Sequence, residues 1–154
     1  MSVLFFDSSA LVKRYLTEIG SPWVTSLFDP SVGHTIVVAT ITQVESAAAI
    51  ASRHRSGSIT QPERDDLVNL LALHFDRYYQ QVAIEEPILS RAVELTQRHR
   101  LRGYDAMEVA TALVVSDQFI AAGYTGLTLI SADNDMNAAA QAEGIAAENP
   151  NAHP

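Results

Sequence analysis

The chain has 154 residues, 47% of them hydrophobic, which is enough apolar material for the core of one compact domain. It contains no cysteine, which excludes disulfide bonds, thiolate metal sites and a cysteine nucleophile. No stretch has the uncharged apolar length that a bilayer span needs, so we expect a soluble, cytoplasmic protein without a membrane segment.

The charge balance argues at first against a nucleic-acid partner. The formal net charge is −8, whereas binding to nucleic-acid phosphates depends largely on Lys and Arg. The objection weakens if part of the acidity binds divalent cations, which reverse the sign of the local charge. Arg98, Arg100 and Arg102 also form a short basic segment. We interpret them as candidate RNA contacts, although basic residues near a helix C-terminus also serve the helix dipole.

The first half of the chain alternates predicted strands with predicted helices. The apolar run 3–6 predicts a buried strand, and Asp7 ends it before a stretch with helical spacing. The β-branched segment 35–39 predicts a second strand. The alanine-rich segment 45–53 predicts a helix that carries Glu45 in its first turn.

A further helix is predicted to start at residues 60–63, where the sequence TQPE matches a capping box. Its predicted inner face carries Leu67, Leu70, Leu71 and Phe75. We expect this helix and the preceding one to form a hairpin that projects from the sheet.

The second half continues the alternation. Residues 78–84 predict a weak strand, and Pro87 suits the first turn of a helix that extends toward residue 100. Asp105 opens a helix predicted to run to about residue 121. After a buried strand at 127–130, Asp133 repeats the placement of Asp7 before another alanine-rich helix.

This order of elements predicts an α/β fold with a mostly parallel sheet and helices on both faces. We expect a single domain over residues 1–147, followed by a frayed tail at 148–154 that is rich in Pro and Asn. Ligand sites in such sheets lie beyond the carboxyl ends of the strands. Asp7, Glu45 and Asp133 all follow predicted strands, so they should share that edge.

Converging acids on one sheet edge indicate a metal site. Mg²⁺ and Mn²⁺ prefer oxygen ligands, usually a few carboxylates with water and substrate phosphate. Without a cation such a cluster is costly, because like charges held close together raise one another's pKa. Hydrolysis of a phosphodiester by water fits this chemistry and needs no side-chain nucleophile.

Each acid also has a purely structural interpretation. Asp is a favoured helix N-cap, so Asp7, Asp105 and Asp133 could each be caps. Residues 42–45, TQVE, match a capping box in which Glu45 reaches back to a backbone amide. From the residues alone, both interpretations stay open, and the shared sheet edge favours the metal site.

Other catalytic classes have little support in the sequence. The five histidines show no metal-ligand spacing such as HExxH. Ser8, Ser9 and Ser131 lie outside any GxSxG elbow, which disfavours a serine hydrolase. The chain also lacks a P-loop and a GxGxxG fingerprint, so a nucleotide cofactor is not predicted.

Four segments, taken in order, resemble the motifs of the PIN-domain family, in particular its VapC-type toxin ribonucleases from VapBC toxin–antitoxin systems of type II. They are LFFDSSALVK at 4–13, TQVESA at 42–47, LRGYDAMEVATA at 101–112 and SADNDMNAAA at 131–140. Each motif is short and degenerate. The ordered set is specific and spans nearly the whole chain.

The resemblance implies a three-layer α/β/α sandwich and an endoribonuclease that depends on Mg²⁺ or Mn²⁺. It also implies RNA as substrate, inhibition by a cognate antitoxin protein, and a homodimer. By motif match, the catalytic and metal-binding acids are Asp7, Glu45, Asp105 and Asp133, with Asp135 as an auxiliary or alternative ligand.

Two features of the motifs go beyond the acids. Ser8 or Ser131 is placed to hold a carboxylate or a water in position. Glu108 departs from the family pattern, since toxins of this type often carry histidine there. It lies three residues after Asp105 and so on nearly the same helix face. It either adds charge to the metal site or only solvates the helix.

Two other functions are compatible with the same residues. The net charge of −8 motivates a catalytically weak binding module that assembles with an antitoxin or another protein. A nuclease acting on DNA or on a structured nucleic acid would use identical metal chemistry.

Overall fold

In the part of the chain that the structure describes, a sheet of five parallel strands forms the centre. The structure, a computed structural model, describes residues 2–154. The strands are β1 Val3–Phe6, β2 Thr35–Ala39, β3 Gln80–Val82, β4 Thr128–Ile130 and β5 Ala146–Glu148. They lie in the order β3-β2-β1-β4-β5, and every neighbouring pair is parallel.

Within the described residues 2–154, seven α-helices cover the two faces of the sheet. They are α1 Ser8–Leu11, α2 Ser21–Leu27, α3 Ile41–Arg55, α4 Gln61–Arg77, α5 Ile88–Arg98, α6 Gly103–Ala121 and α7 Asn134–Ala142. The predicted α/β class with helices on both faces is therefore confirmed as a three-layer α/β/α sandwich. Within residues 2–154, every helix falls short of the apolar length that would cross a membrane.

The central strand β1 is buried on both faces and feeds two hydrophobic cores. Val3 and Phe5 point into the core formed with α5, α6 and α7, whereas Leu4 and Phe6 point into the core formed with α1, α2 and α4. An uninterrupted apolar run is what a parallel strand between two helical layers requires.

The strand order reverses at β1, with β2 on one side and β4 on the other. The carboxyl ends of these strands therefore meet at the switch point of the sheet, where ligands bind in folds of this type. Asp7 follows β1 directly, and Asp133 follows β4 by three residues.

The strongly patterned elements lie where the sequence predicts them. Both α3 and α4 form the expected hairpin, and α4 begins with the predicted capping box between Thr60 and Glu63. The predicted inner face of α4 is right for Leu71 and Phe75, which are 1% exposed, but wrong for Leu70, which is 41% exposed. Leu70 lies on the outer side of the hairpin because the helical turn carries it away from the sheet.

Two elements were not predicted, and one prediction about the tail differs from the structure. Helix α2 and the three-residue edge strand β5 have weak sequence signals, and β5 owes its conformation to pairing with β4. Residues 148–154 were expected to fray. Instead, Pro150 is buried and the ring of His153 stacks on Trp23, with 4.1 Å between ring centroids. The domain boundary at residue 147 stays a prediction.

Substitution of Gly20 tests whether the C-terminal residues pack against the rest of the domain. Gly20 and Gly33 both have positive φ, +85° and +72°, so any Cβ there is strained by about 1–2 kcal/mol. A Cβ at Gly20 would also lie 2.3 Å from the carbonyl oxygen of Pro150, whereas a Cβ at Gly33 would meet open space. We expect Gly20→Ala to cost about 1–3 kcal/mol more than Gly33→Ala in urea unfolding. Equal losses would contradict the docked position of the tail.

Candidate active site

Asp7 is a buried, hydrogen-bonded carboxylate at the carboxyl edge of the sheet. It is 3% exposed, ends β1 and caps α1, with Oδ1 accepting the backbone N–H of Ala10 at 2.9 Å. Ser131 Oγ donates to Oδ2 at 2.7 Å, and Ser9 Oγ lies 2.8 Å from both carboxylate oxygens. Asp7 is therefore the N-cap of α1, as its structural interpretation predicts, and it also lies at the sheet edge where the metal-site interpretation places it.

Glu45 lies on α3 and does not form the capping box that its sequence allows. The helix begins at Ile41, which puts Glu45 in its second turn, and the N-cap Thr40 makes no side-chain capping bond. Instead, Ser8 Oγ donates to Glu45 Oε2 at 3.2 Å. The prediction that Ser8 holds a carboxylate therefore matches this contact, and the structural interpretation of Glu45 is wrong.

Glu108 is buried behind Glu45 and does not solvate helix α6. It is 1% exposed, and Thr42 Oγ1 donates to Glu108 Oε1 at 2.6 Å. Glu45 Oε1 and Glu108 Oε2 have no hydrogen-bond partner among residues 2–154, and the charge of Glu45 raises the pKa of Glu108. One shared proton, or a cation, satisfies both oxygens.

Asp105 and Asp133 line an open cavity of about 430 Å³ together with Asp135 and Arg102. Asp105 lies in the first turn of α6, whose N-cap is Arg102, so it is not a cap. Asp133 caps α7, and its Oδ1 accepts the backbone N–H groups of residues 135 and 136 at 2.8 and 3.1 Å.

Electrostatic coupling links these acids into one group, the acidic cluster. We define it by six residues: Asp7, Glu45, Asp105, Glu108, Asp133 and Asp135. Burial raises the pKa of Asp7 from 3.8 to about 6, and the charge of Asp133 raises it further. Burial and then Asp133 raise the pKa of Asp105. Burial and then Asp105 raise the pKa of Glu45.

Glu108 also has a raised pKa, and its carboxyl group is buried. Burial raises its pKa well above the ordinary value, and the charges of Asp7 and Glu45 add to the rise. Burial and neighbouring negative charge thus make Asp7, Asp105 and Glu108 harder to ionise. The cluster as a whole is stabilised by whatever positive charge enters it, a proton or a cation.

The donor chemistry of the cluster fits a hard divalent cation, although the side chains are spaced apart. Among residues 2–154, no three His, Asp or Glu side chains lie close enough to form a ready-made metal site. The fit is given by buried carboxylate oxygens without donors on Glu45 and Glu108, and by raised pKa values that cation binding would relieve.

The three predicted RNA-contacting arginines separate in the structure. Arg98 pairs with Glu143, the C-cap residue of α7, at 2.7 Å, and does not line the cavity of Asp105. Arg100 and Arg102 do line it, and the side chain of Arg100 is 94% exposed and 3.9 Å from Asp135. The basic segment is thus split by an ion pair that the sequence pattern did not reveal.

Sequence reasoning missed the roles of Ser9 and Thr42. Ser9 Oγ also accepts the backbone N–H of Ala132 at 2.9 Å, so it joins α1 to the segment after β4. Their hydroxyls have no distinctive spacing in the sequence. The one available signal was that Ser9 directly follows Ser8 in the first motif.

The fold and the motif order agree with comparisons to known proteins. A sequence profile of the PIN domain matches residues 4–142, so the chain belongs to the PIN-domain family. The resemblance to VapC-type proteins is confirmed by a curated relative, Ribonuclease VapC45 of Mycobacterium tuberculosis (strain CDC 1551 / Oshkosh). It is 29% identical over 144 residues, which cover 94% of this chain and 93% of the relative.

Solved structures share the same architecture. A toxin–antitoxin complex from Klebsiella pneumoniae aligns with a TM-score of 0.60 at 19% identity, over 96% of this chain and 97% of the other. VapC20 of Mycobacterium tuberculosis, described as a Sarcin-Ricin loop cleaving toxin, aligns with a TM-score of 0.59 at 13% identity. That alignment covers 88% of this chain and 94% of VapC20. These likenesses support the three-layer fold.

The raised pKa of Asp7 predicts that its ionisation destabilises the metal-free protein. The folded state keeps the proton of Asp7 up to about pH 6, whereas the unfolded chain loses it near pH 3.8. The free energy of unfolding that protonated Asp7 contributes therefore falls as pH rises through this interval. Above pH 7 the loss is about 3 kcal/mol. We expect Asp7→Asn to be more stable than wild type in EDTA at pH 7.5 by up to this amount, measured by urea unfolding, with no difference at pH 4.

Asp29 provides the matched control, because hydrogen bonds from Ser31 lower its pKa. Its ionisation is favoured by folding, so Asp29→Asn should lose stability at pH 7.5 where Asp7→Asn gains it. A loss of stability in both variants would contradict the buried, charge-strained position of Asp7.

Thr42 tests the buried contact with Glu108. Thr42→Val keeps the shape of the side chain but removes the hydroxyl donor, which leaves a buried carboxyl oxygen unsatisfied at a cost of about 1–3 kcal/mol. Thr42→Ser keeps the donor and loses only a methyl group. We expect the valine variant to be the less stable of the two in thermal melts, and the reverse order would contradict the contact.

Proposed function

We propose that this chain is a Mg²⁺- or Mn²⁺-dependent endoribonuclease that acts as the toxin of a toxin–antitoxin pair. The observation that carries the proposal is the acidic cluster at the carboxyl edge of the sheet, where burial and neighbouring negative charge raise the pKa of Asp7, Glu45 and Asp105. Its support from outside the chain is the family membership and the relative named as a ribonuclease.

The residues proposed to hold the cation are Asp7, Glu45, Asp105 and Asp133, with Asp135 as an auxiliary ligand. A divalent cation bound among them supplies charge stabilisation for phosphate oxygens and makes water a stronger acid. One or two such ions suit a set of carboxylates of this kind.

The chain's own residues have separate roles in this proposal. Ser9 and Ser131 donate to Asp7 and fix the direction of its carboxylate, and Ser8 does the same for Glu45. Glu108 is a positioning residue, because it is buried behind Glu45 and does not line the open cavity.

Arg100 and Arg102 are proposed to contact RNA phosphates at the mouth of the acidic cluster. Both line the same cavity as Asp105, and the exposed guanidinium of Arg100 is free to move toward a ligand. A local basic rim lets an anionic strand approach a chain whose net charge is −8. Arg98 has no such role here, since Glu143 holds it.

The antitoxin and a second copy of this chain are the proposed protein partners. The structural neighbour from Klebsiella pneumoniae is a toxin–antitoxin complex, which supports the first. Exposed apolar side chains on the α3–α4 hairpin support a protein interface: Val44 is 71% exposed and Leu73 is 44% exposed.

The test is cleavage of a mixed pool of structured RNAs by wild type and by Asp7→Asn, with Mg²⁺, Mn²⁺ or EDTA. We expect cutting that needs the cation and falls by about 100-fold or more in the variant. Asp76→Asn is the matched control, because Asp76 is 77% exposed on α4, outside the cluster. Thermal melts of the same proteins should show a cation-dependent rise for wild type and Asp76→Asn, and none for Asp7→Asn.

The pattern of results separates the proposal from its alternatives. A cation-dependent melt without cleavage of RNA would favour a metal-bound protein acting on DNA, tested with a DNA pool. No melt shift and no cleavage would overturn the nuclease and favour a binding module. Cleavage that persists equally in Asp7→Asn would locate the activity in a contaminant.

A further inference from the structure

A second cavity lies at the amino edge of the sheet, opposite the acidic cluster. Its volume is about 450 Å³. His34 directly precedes β2 and Tyr79 directly precedes β3, which places the cavity where these parallel strands begin. We call it the Arg14 cavity after the residue in its wall. Its polar and aromatic lining includes Arg14, Phe28, His34, His74, Tyr78 and Tyr79.

Arg14 is a partly buried cation without a counter-ion. Of the ten Lys and Arg residues, all within residues 2–154, Arg14, Arg55 and Arg102 form no ion pair with a carboxylate. Arg55 and Arg102 are exposed to water, whereas Arg14 is half-buried. In a chain of net charge −8, an arginine that lines a cavity and pairs with no carboxylate favours an anionic ligand.

The guanidinium of Arg14 is held in a fixed direction. Its carbon lies 4.2 Å from the centroid of the Phe28 ring, and Nη1 donates to Tyr79 Oη at 2.6 Å. Tyr79 Oη lies 2.6 Å from Tyr15 Oη, which lies 2.7 Å from His74 Nδ1. A side chain fixed in this way loses little entropy when it binds a ligand.

Two histidines and one acid complete the polar part of the cavity wall. His34 Nδ1 is buried and has no hydrogen-bond partner among residues 2–154. Burial and the charge of Arg14 lower the pKa of His74, which favours its neutral form. Asp29, an acid at the rim, is exposed and accepts the backbone N–H of Ser31 at 2.8 Å.

Tyr78 indicates which chemical group of the ligand lies beside the anionic group. Its ring lines the cavity and is 67% exposed, an aromatic face free to stack on a planar group. The volume also exceeds what a lone phosphate ion requires. We propose that the Arg14 cavity binds a nucleotide, with its phosphate on Arg14 and His34 and its base against Tyr78. This site stands independently of the proposed catalysis, because none of its residues belongs to the acidic cluster.

The probe is adenosine 5′-monophosphate, titrated into the whole protein in EDTA so that no cation can bridge phosphate to the acids. We expect the imidazole NMR signals of His34 and His74 to shift while those of His54 and His99 stay in place. Arg14→Gln should weaken binding by about tenfold or more, because a charge-assisted hydrogen bond is lost. The matched control, Arg55→Gln, removes an unpaired surface arginine and should leave binding unchanged.

Further variants keep the proposal testable if Arg14→Gln fails to fold. Tyr78→Ala changes an exposed side chain and should weaken binding of the nucleotide but not of inorganic phosphate. Asp7→Asn should leave binding unchanged. Equal effects of Arg14→Gln and Arg55→Gln, or shifts confined to His99 near the acidic cluster, would overturn the proposal.

A further experiment distinguishes two sources of the nucleotide phosphate, the 5′ end of an RNA strand and a free nucleotide. A 2′-O-methyl oligonucleotide that resists cleavage is compared with and without a 5′-phosphate. Binding that requires the 5′-phosphate identifies the end of an RNA strand as the source, and binding of the mononucleotide alone identifies a free nucleotide. Binding of neither by the folded wild type, or capture of an acidic peptide in their place, would contradict a nucleotide site.

Discussion

The position of Asp7 is the constraint on which the rest of the candidate site depends. A carboxylate is buried at the end of the central strand, and it stays there because two serine hydroxyls and one backbone amide bind its oxygens. Ser131 comes from the segment after β4, so the same hydrogen bonds that orient Asp7 also join two neighbouring strands. The switch point of the sheet is therefore the place where hydrogen bonds join the ends of β1 and β4, and it is also where the acidic cluster lies.

Burying the ionised carboxylates of the acidic cluster lowers the free energy of unfolding, and other interactions in the fold must offset this loss. Two large apolar cores on either side of β1 provide that stability, and the cluster lies at the edge where they meet. Glu108 deepens the cost, since it brings a further acid into a fully buried position beside Glu45. A site that is strained when empty of positive charge binds cations more favourably for the same reason.

The two edges of the sheet carry opposite electrostatic character. Carboxylates with raised pKa values gather at the carboxyl edge, whereas an unpaired arginine and two histidines line a cavity at the amino edge. A net charge of −8 describes neither edge. The global charge is thus a poor guide to partners in this protein, because the local arrangement of charged groups decides which ligand each edge admits.

The sequence by itself determined the elements with strong periodic patterns and the order of the acidic motifs. Strand β1, strand β2 and the capping box of α4 lie where local signals put them, because apolar runs and capping chemistry are short-range properties. Only the tertiary structure decided what no local pattern encodes. In the folded protein, Glu45 accepts a hydrogen bond from Ser8 and is not a helix cap. Glu108 is buried against Thr42, and Arg98 forms an ion pair with Glu143. Each of these contacts joins residues at least 37 positions apart in the chain, so it exists only once the layers have packed.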